Sequence, residues 1–188
     1  MVGHSFGGAV ALLAALRRPD RVSALVLYEP TLFAFIDATS PQPNAADGIR
    51  ETIGRAATAL ATGDRRAAAK IFIDYWMGDG SFSTKPEAQR LAIEDAIVHV
   101  QGWLHALLKE PTPLVALRAL KMPVLLMQGR ETPDSARAVT ALLAQTLSQV
   151  RVLSFDGLGH MGPMTHPAPV NAAIDAFLMQ NHSLAGGG

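Results

Sequence analysis

Residues 3 to 7 read Gly-His-Ser-Phe-Gly. The G-x-S-x-G spacing suits a strand that turns sharply into a helix, with the serine held at the turn in strained backbone angles. Gly3 and Gly7 would supply positions without a Cβ, so that neighbouring backbone can pass close by. A five-residue pattern matches often by chance, so its flanks decide its meaning. Gly7-Gly-Ala-Val-Ala-Leu-Leu-Ala-Ala-Leu16 continues as a good helix, and Arg17-Arg18-Pro19 ends it. Strand, elbow and helix in that order form the context the motif requires. An elbow of this kind follows a strand in the middle of a sheet, and here Met1-Val2 precede it. The expectation is that the chain corresponds to the C-terminal part of a larger fold.

Further along, Val22-Ser-Ala-Leu-Val-Leu-Tyr28 is a near-continuous apolar run, as in a strand buried on both faces of a parallel sheet. Glu29-Pro30 stops it. Residues 38–48, with Ser40-Pro-Gln-Pro-Asn44, read as a linker. From about 45 to 120 the pattern is helical. Ala45 to Thr62 is alanine-rich, and Arg65 to Met77 carries Ala69, Ile73 and Trp76 at helical spacing. One long helix is expected from Pro86 to about Lys109, with a stripe of Ile93, Ile97, Val100, Leu104 and Leu107. A short helix covers Leu114 to Leu120. The sheet pattern then returns in Pro123-Val-Leu-Leu-Met127. A helix follows from Asp134 to Leu147, then a more alternating, edge-like strand from Val150 to Phe155, and a last helix from Pro167 to about Gln180. This alternation implies a parallel sheet with crossover helices, interrupted by a helical insert. The segments read as 1–40 (elbow, helix and strand), 41–120 (insert), 121–182 (rest of the core) and 183–188 (flexible tail).

Composition narrows the function. The 188 residues carry 16 basic and 16 acidic side chains and no basic block, which argues against a nucleic-acid partner. No cysteine is present, so thiolate catalysis and Cys-ligated metals are excluded. No apolar run approaches the ~18 residues of a membrane span. Residues 1–16 lack the basic start of a signal peptide, and a cytoplasmic location is expected.

A serine hydroxyl is a poor nucleophile until a base takes its proton. That base is usually a histidine oriented by a carboxylate. His160 is the candidate base. It follows the last strand within Phe155-Asp-Gly-Leu-Gly-His-Met-Gly-Pro163, where glycines let a loop carry an imidazole back over the sheet. Its rivals are weaker. His4 lies beside Ser5 but is expected to point elsewhere. His99 and His105 fall on the insert, His166 precedes the last helix, and His182 lies in the tail.

With these residues in place, the chain resembles the α/β-hydrolase fold superfamily. Gly3-His-Ser-Phe-Gly7, Pro123-Val-Leu-Leu-Met-Gln-Gly129 and Gly159-His160 carry the resemblance. It implies a mostly parallel eight-stranded sheet, of which this chain supplies the end of the fifth strand and the last three, and it makes the insert a cap. Most members place the acid after the seventh strand as Gly-x-x-Asp, but here that stretch reads Gly129-Arg-Glu-Thr132. Some members carry it after the sixth strand, where this chain has Glu29. Glu29 is the preferred acid, with Glu131 and Asp134 as alternatives. The resemblance implies the backbone N–H of Phe6 as one oxyanion donor, and a second from a loop after the third strand. Phe33, Trp76, Trp103 and Met161 are expected pocket walls, although aromatics at helical spacing are also ordinary core residues.

The resulting expectation is a serine hydrolase that cleaves small carboxylic esters through Ser5, His160 and Glu29, without cofactor or metal. Carbon–carbon bond hydrolysis and cofactor-free haloperoxidase chemistry remain alternatives on the same triad, as does a weakly active or non-catalytic fragment. The apolar strand at 22–28 is further expected to have one largely unpaired edge, and the chain to self-associate through it.

Overall fold

A computed structural model describes residues 1–185. It contains four strands: β1 (Val2–His4), β2 (Leu25–Tyr28), β3 (Val124–Gly129) and β4 (Val150–Phe155). They form one parallel sheet in the order β1-β2-β3-β4. Helix α1 (Ser5–Arg17) joins β1 to β2, and α7 (Asp134–Thr146) joins β3 to β4. Between β2 and β3 run α2 (Ala34–Thr39), α3 (Asp47–Ala61), α4 (Arg65–Met77), α5 (Glu87–Ala96) and α6 (Val100–Leu108), then a 3₁₀ segment at Leu114–Ala119. The short α8 (Gly162–Thr165) and the long α9 (Pro167–Ala185) close the chain.

The unbroken apolar runs have a two-sided explanation. Side chains alternate across a strand. Leu25 and Leu27 of β2, with Val124 and Leu126 of β3, enter a large core shared with α1, α7 and the insert. Val26 and Tyr28, with Leu125 and Met127, enter a second core against Val170 and Phe177 of α9. Both faces are therefore covered, and every residue of β2 is buried. β4, at one edge, is only partly buried.

Four expectations about the fold need correction. The strand at 22–28 is not the open edge. β2 pairs on both sides, with β1 through Val2↔Val26, Gly3↔Leu27 and His4↔Tyr28, and with β3. The sheet edge on this side is β1 itself. The segment 38–48 is not wholly a linker, because α2 ends at Thr39 and α3 starts at Asp47. The helix expected from 86 to 109 is broken by a 3₁₀ turn at Ile97–His99. A 3₁₀ turn eclipses positions i and i+3, and here it brings both Ile97 and Val100 into the core. α9 also runs past Gln180 to Ala185, into the expected tail, whose residues 186–188 lie outside the described residues. No described helix is long and apolar enough to cross a membrane.

Candidate active site

Strand register brings the site together. His4 pairs with Tyr28, so the next residue on each strand, Ser5 and Glu29, leaves the sheet at the same level. Each does so in the left-handed region, with φ of 54° at Ser5 and 42° at Glu29. Non-glycine residues persist there only where their surroundings hold them. At the elbow the hold is steric. A Cβ on Gly3 would lie 2.5 Å from the carbonyl oxygen of Gly7. A Cβ on Gly7, by contrast, would meet nothing within 4 Å, so the close approach expected there is absent. Gly7 is exposed, and Gly8 has the second tight position, 3.1 Å from Pro30 just beyond Glu29.

The loop after β4 carries His160. It turns at Gly157, whose φ is 72°. It lies against the end of β3 so closely that a Cβ on Gly129 would fall 2.0 Å from the carbonyl oxygen of Leu158. Three donors hold the loop's carbonyls: Glu131 N–H on Leu158 at 3.0 Å, Tyr28 Oη on Gly159 at 2.9 Å, and His4 Nε2–H on His160 at 2.8 Å. His4 therefore belongs to the site, contrary to the expectation that it points elsewhere. Its position beside Ser5 was the only signal in the sequence. Burial, and then the neighbouring His160, lower the His4 pKa to about 4. Burial, and then the charge of Glu29, push the Tyr28 phenol above its ordinary value. Near neutral pH both side chains are uncharged donors.

His160 stands between the two strand ends. Its Nε2 is 2.9 Å from Ser5 Oγ, and its Nδ1 is 2.7 Å from Glu29 Oε2. Glu29 is 0% exposed and His160 2%. A carboxylate accepts, so Nδ1–H donates to Glu29, and the Nε2 lone pair faces the serine hydroxyl. Glu29 is also held from the far side. Its Oε1 accepts the Gly129 N–H at 2.7 Å, and its Oε2 accepts the Thr132 hydroxyl at 2.6 Å. Thr132, at the position where the resemblance expects the acid, thus binds the acid instead. Glu131 and Asp134 are exposed, and Asp134 lies 3.6 Å from Arg137. Neither is a hydrogen-bond or ion-pair partner of His160. The arrangement can pass a proton from a serine to an imidazole and stabilise the resulting cation. Among the described residues, no group of three or more His, Asp or Glu side chains could hold a metal ion.

Above Ser5 opens a chamber of about 400 Å³. Phe6, at the first turn of α1, is 40% exposed and forms part of its wall. Phe33, Trp76, Trp103 and Met161 line it as well, together with Thr31, Phe72, Val100, Leu104 and Leu107. Trp76 does more than fill space: its ring stacks on His160 with centroids 3.9 Å apart and planes 26° apart. α4 is fixed for this purpose at both ends. Asp64 caps its start by accepting from Ala67 N–H at 2.8 Å. Near its other end the buried Asp74 accepts from Phe82 N–H at 2.9 Å and pairs with Lys70. Tyr75 Oη meets Ser135 Oγ of α7 at 2.8 Å.

Comparison with known proteins agrees with this fold. A family model described as alpha/beta hydrolase fold matches residues 1–167. The chain is 27% identical over 192 residues to a 2-hydroxymuconate semialdehyde hydrolase of Pseudomonas sp. strain CF600, covering 98% of this chain and 63% of that protein. It is 21% identical over 193 residues to an (E)-2-((N-methylformamido)methylene)succinate hydrolase of Acinetobacter baylyi, covering 95% and 64%. The crystal structure of a hydrolase from Pseudomonas aeruginosa PA01 superposes with a TM-score of 0.69 at 22% identity, covering 94% and 63%. The chain thus spans somewhat less than two thirds of the length of these proteins. A family match over most of its residues, on a parallel sheet with a strained serine elbow, means that this chain belongs to the alpha/beta hydrolase fold family.

Proposed function

We propose that this protein is a serine hydrolase that cleaves carboxylic esters through an acyl-enzyme. The observation that carries the reading is the buried relay Ser5 Oγ–His160 Nε2 at 2.9 Å and His160 Nδ1–Glu29 Oε2 at 2.7 Å. In this reading Ser5 attacks the ester carbonyl while His160 takes its proton. The Phe6 N–H, in the first turn of α1 where amides lack helical partners, donates to the oxyanion. His160 then returns the proton to the departing alkoxide. A water, deprotonated in turn by His160, releases the acid and restores Ser5. Glu29 fixes the imidazole tautomer and stabilises its charged form. No step uses a cofactor or metal. Carbon–carbon bond hydrolysis and haloperoxidase chemistry would use the same nucleophile, and they differ from ester cleavage in substrate rather than in residues.

The test is labelling with a fluorophosphonate probe, with the modified site mapped by mass spectrometry, beside hydrolysis of p-nitrophenyl butyrate. The expected result is a single adduct on Ser5. Ser5→Ala and His160→Ala should each lose essentially all activity, because the two groups act as a unit. Labelling elsewhere, or a Ser5→Ala variant that keeps most of the activity, overturns the assignment.

A further inference from the structure

The chamber over Ser5 has a chemical character that narrows its ligand. Phe6, Phe33, Phe72, Trp76 and Trp103 contribute five phenyl or indole rings to its walls. Phe72 sits between the two tryptophans, with its centroid 6.2 Å from Trp76 in a T-shaped contact and 6.4 Å from Trp103. These spacings suit edge-to-face aromatic packing, and a flat ring or alkyl chain entering the chamber meets π faces and edges. Among the described lining residues none is Lys, Arg, Asp or Glu. The Glu29 carboxylate stands behind His160, whose other nitrogen meets the reacting hydroxyl. A carboxylate carried into this chamber would lose its water without gaining a cation, and would face a like charge.

We propose that the chamber takes the uncharged, aryl- or alkyl-bearing part of a neutral ester, packed against Phe72, Trp76 and Trp103, and rejects substrates that carry a carboxylate on that part. The proposal rests on the ester-hydrolase reading, but it can be tested without turnover. The chain has two tryptophans, and both line the chamber. Intrinsic fluorescence therefore reports occupancy directly.

The experiment titrates the Ser5→Ala chain at pH 8 with two methyl ketones. 4-(4-Methylphenyl)-2-butanone and 4-(3-oxobutyl)benzoate differ only in a methyl or a carboxylate at the far end of the ring. The neutral ketone is expected to saturate the fluorescence change with an affinity about tenfold or more above that of the anion. Equal affinity, or tighter binding of the anion, overturns the proposal. Fluorophosphonate labelling of the unmodified chain separates the two levels. Labelling of Ser5 with preference for the anion leaves the hydrolase reading standing and sinks the substrate class. Preference for the neutral ketone without labelling does the reverse.

Discussion

Glu29 shows how much one residue's role depends on its neighbours. It is an acid at a strand end, in a left-handed conformation that glutamate rarely adopts, and it is fully buried. Burial of a carboxylate is tolerable because three donors surround it: the Gly129 amide, the Thr132 hydroxyl and the His160 imidazole. Glu29→Gln keeps the shape but offers His160 the wrong partner. It is expected to lower kcat by at least about a hundredfold, against less than about threefold for Glu131→Gln or Asp134→Asn. Comparison of kcat among the three variants at matched folding decides the matter. A larger loss at Glu131 or Asp134 moves the acid to the loop after β3. Thr132→Val removes one donor to a charged oxygen and is expected to cost roughly tenfold in kcat without moving KM.

At the scale of elements, the site is built from close approaches between strand ends and loops, and glycines sit where those approaches occur. The end of β3 and the His160 loop touch at Gly129, where a Cβ would lie 2.0 Å from the Leu158 carbonyl oxygen. Backbone on both sides gives a new methyl group no room. Gly129→Ala is therefore expected to displace the loop, separate His160 from Glu29, abolish ester hydrolysis and lower stability by about 2 kcal/mol or more. Gly7→Ala is the control. Its Cβ meets open space on a helix, so stability should change little or rise by up to about 1 kcal/mol, with activity retained. Urea unfolding beside an esterase assay tests both. Loss of folding in Gly7→Ala would show that the elbow is tighter than these distances indicate.

For the whole molecule, two properties follow from how the sheet and loop are assembled. The first is a response to acid. Burial, and then His160, hold the folded-state pKa of His4 at about 4, against 6.5 for the free side chain. The unfolded chain therefore binds the extra proton first. The stability contributed by a neutral His4 is complete above about pH 6.5 and is lost as pH falls towards 4, by on the order of 3 kcal/mol at most. His4→Gln keeps a side chain able to donate to the His160 carbonyl but cannot titrate. The difference in unfolding free energy between pH 7 and pH 4.5 should be smaller in this variant than in the unmodified chain. An identical difference would dismiss His4 as the source.

The second property concerns association. β1 lies at a sheet edge, and exposed apolar side chains surround it: Met1 at 49%, Val2 at 55% and, on α1, Val10 at 53%. Unpaired backbone beside apolar side chains invites a second chain. Light scattering after size-exclusion chromatography should find the chain larger than a monomer, and Val2→Lys should reduce that mass. A monomer at every concentration rejects self-association.

The sequence by itself determined whatever local periodicity and local sterics control. The elbow at Gly3–Gly7 was legible because a strained serine between a strand and a helix leaves a short, spaced signature. The buried strands were legible because parallel strands covered on both faces cannot alternate. His160 stood out for its glycine-rich loop after a strand. Glu29 was visible in the sequence only as a strand-end acid set against a threonine elsewhere. Tertiary structure alone decided the rest. That Thr132 would bind Glu29 across 103 residues, that His4 would turn to the His160 carbonyl, and that Trp76 would stack on the imidazole are contacts between segments far apart in the chain. Register and loop placement create such contacts, and no spacing along the sequence encodes them. The same holds for Gly7 and Gly8: which of two adjacent glycines is needed depends on what packs against it, and Pro30 arrives from the segment after β2.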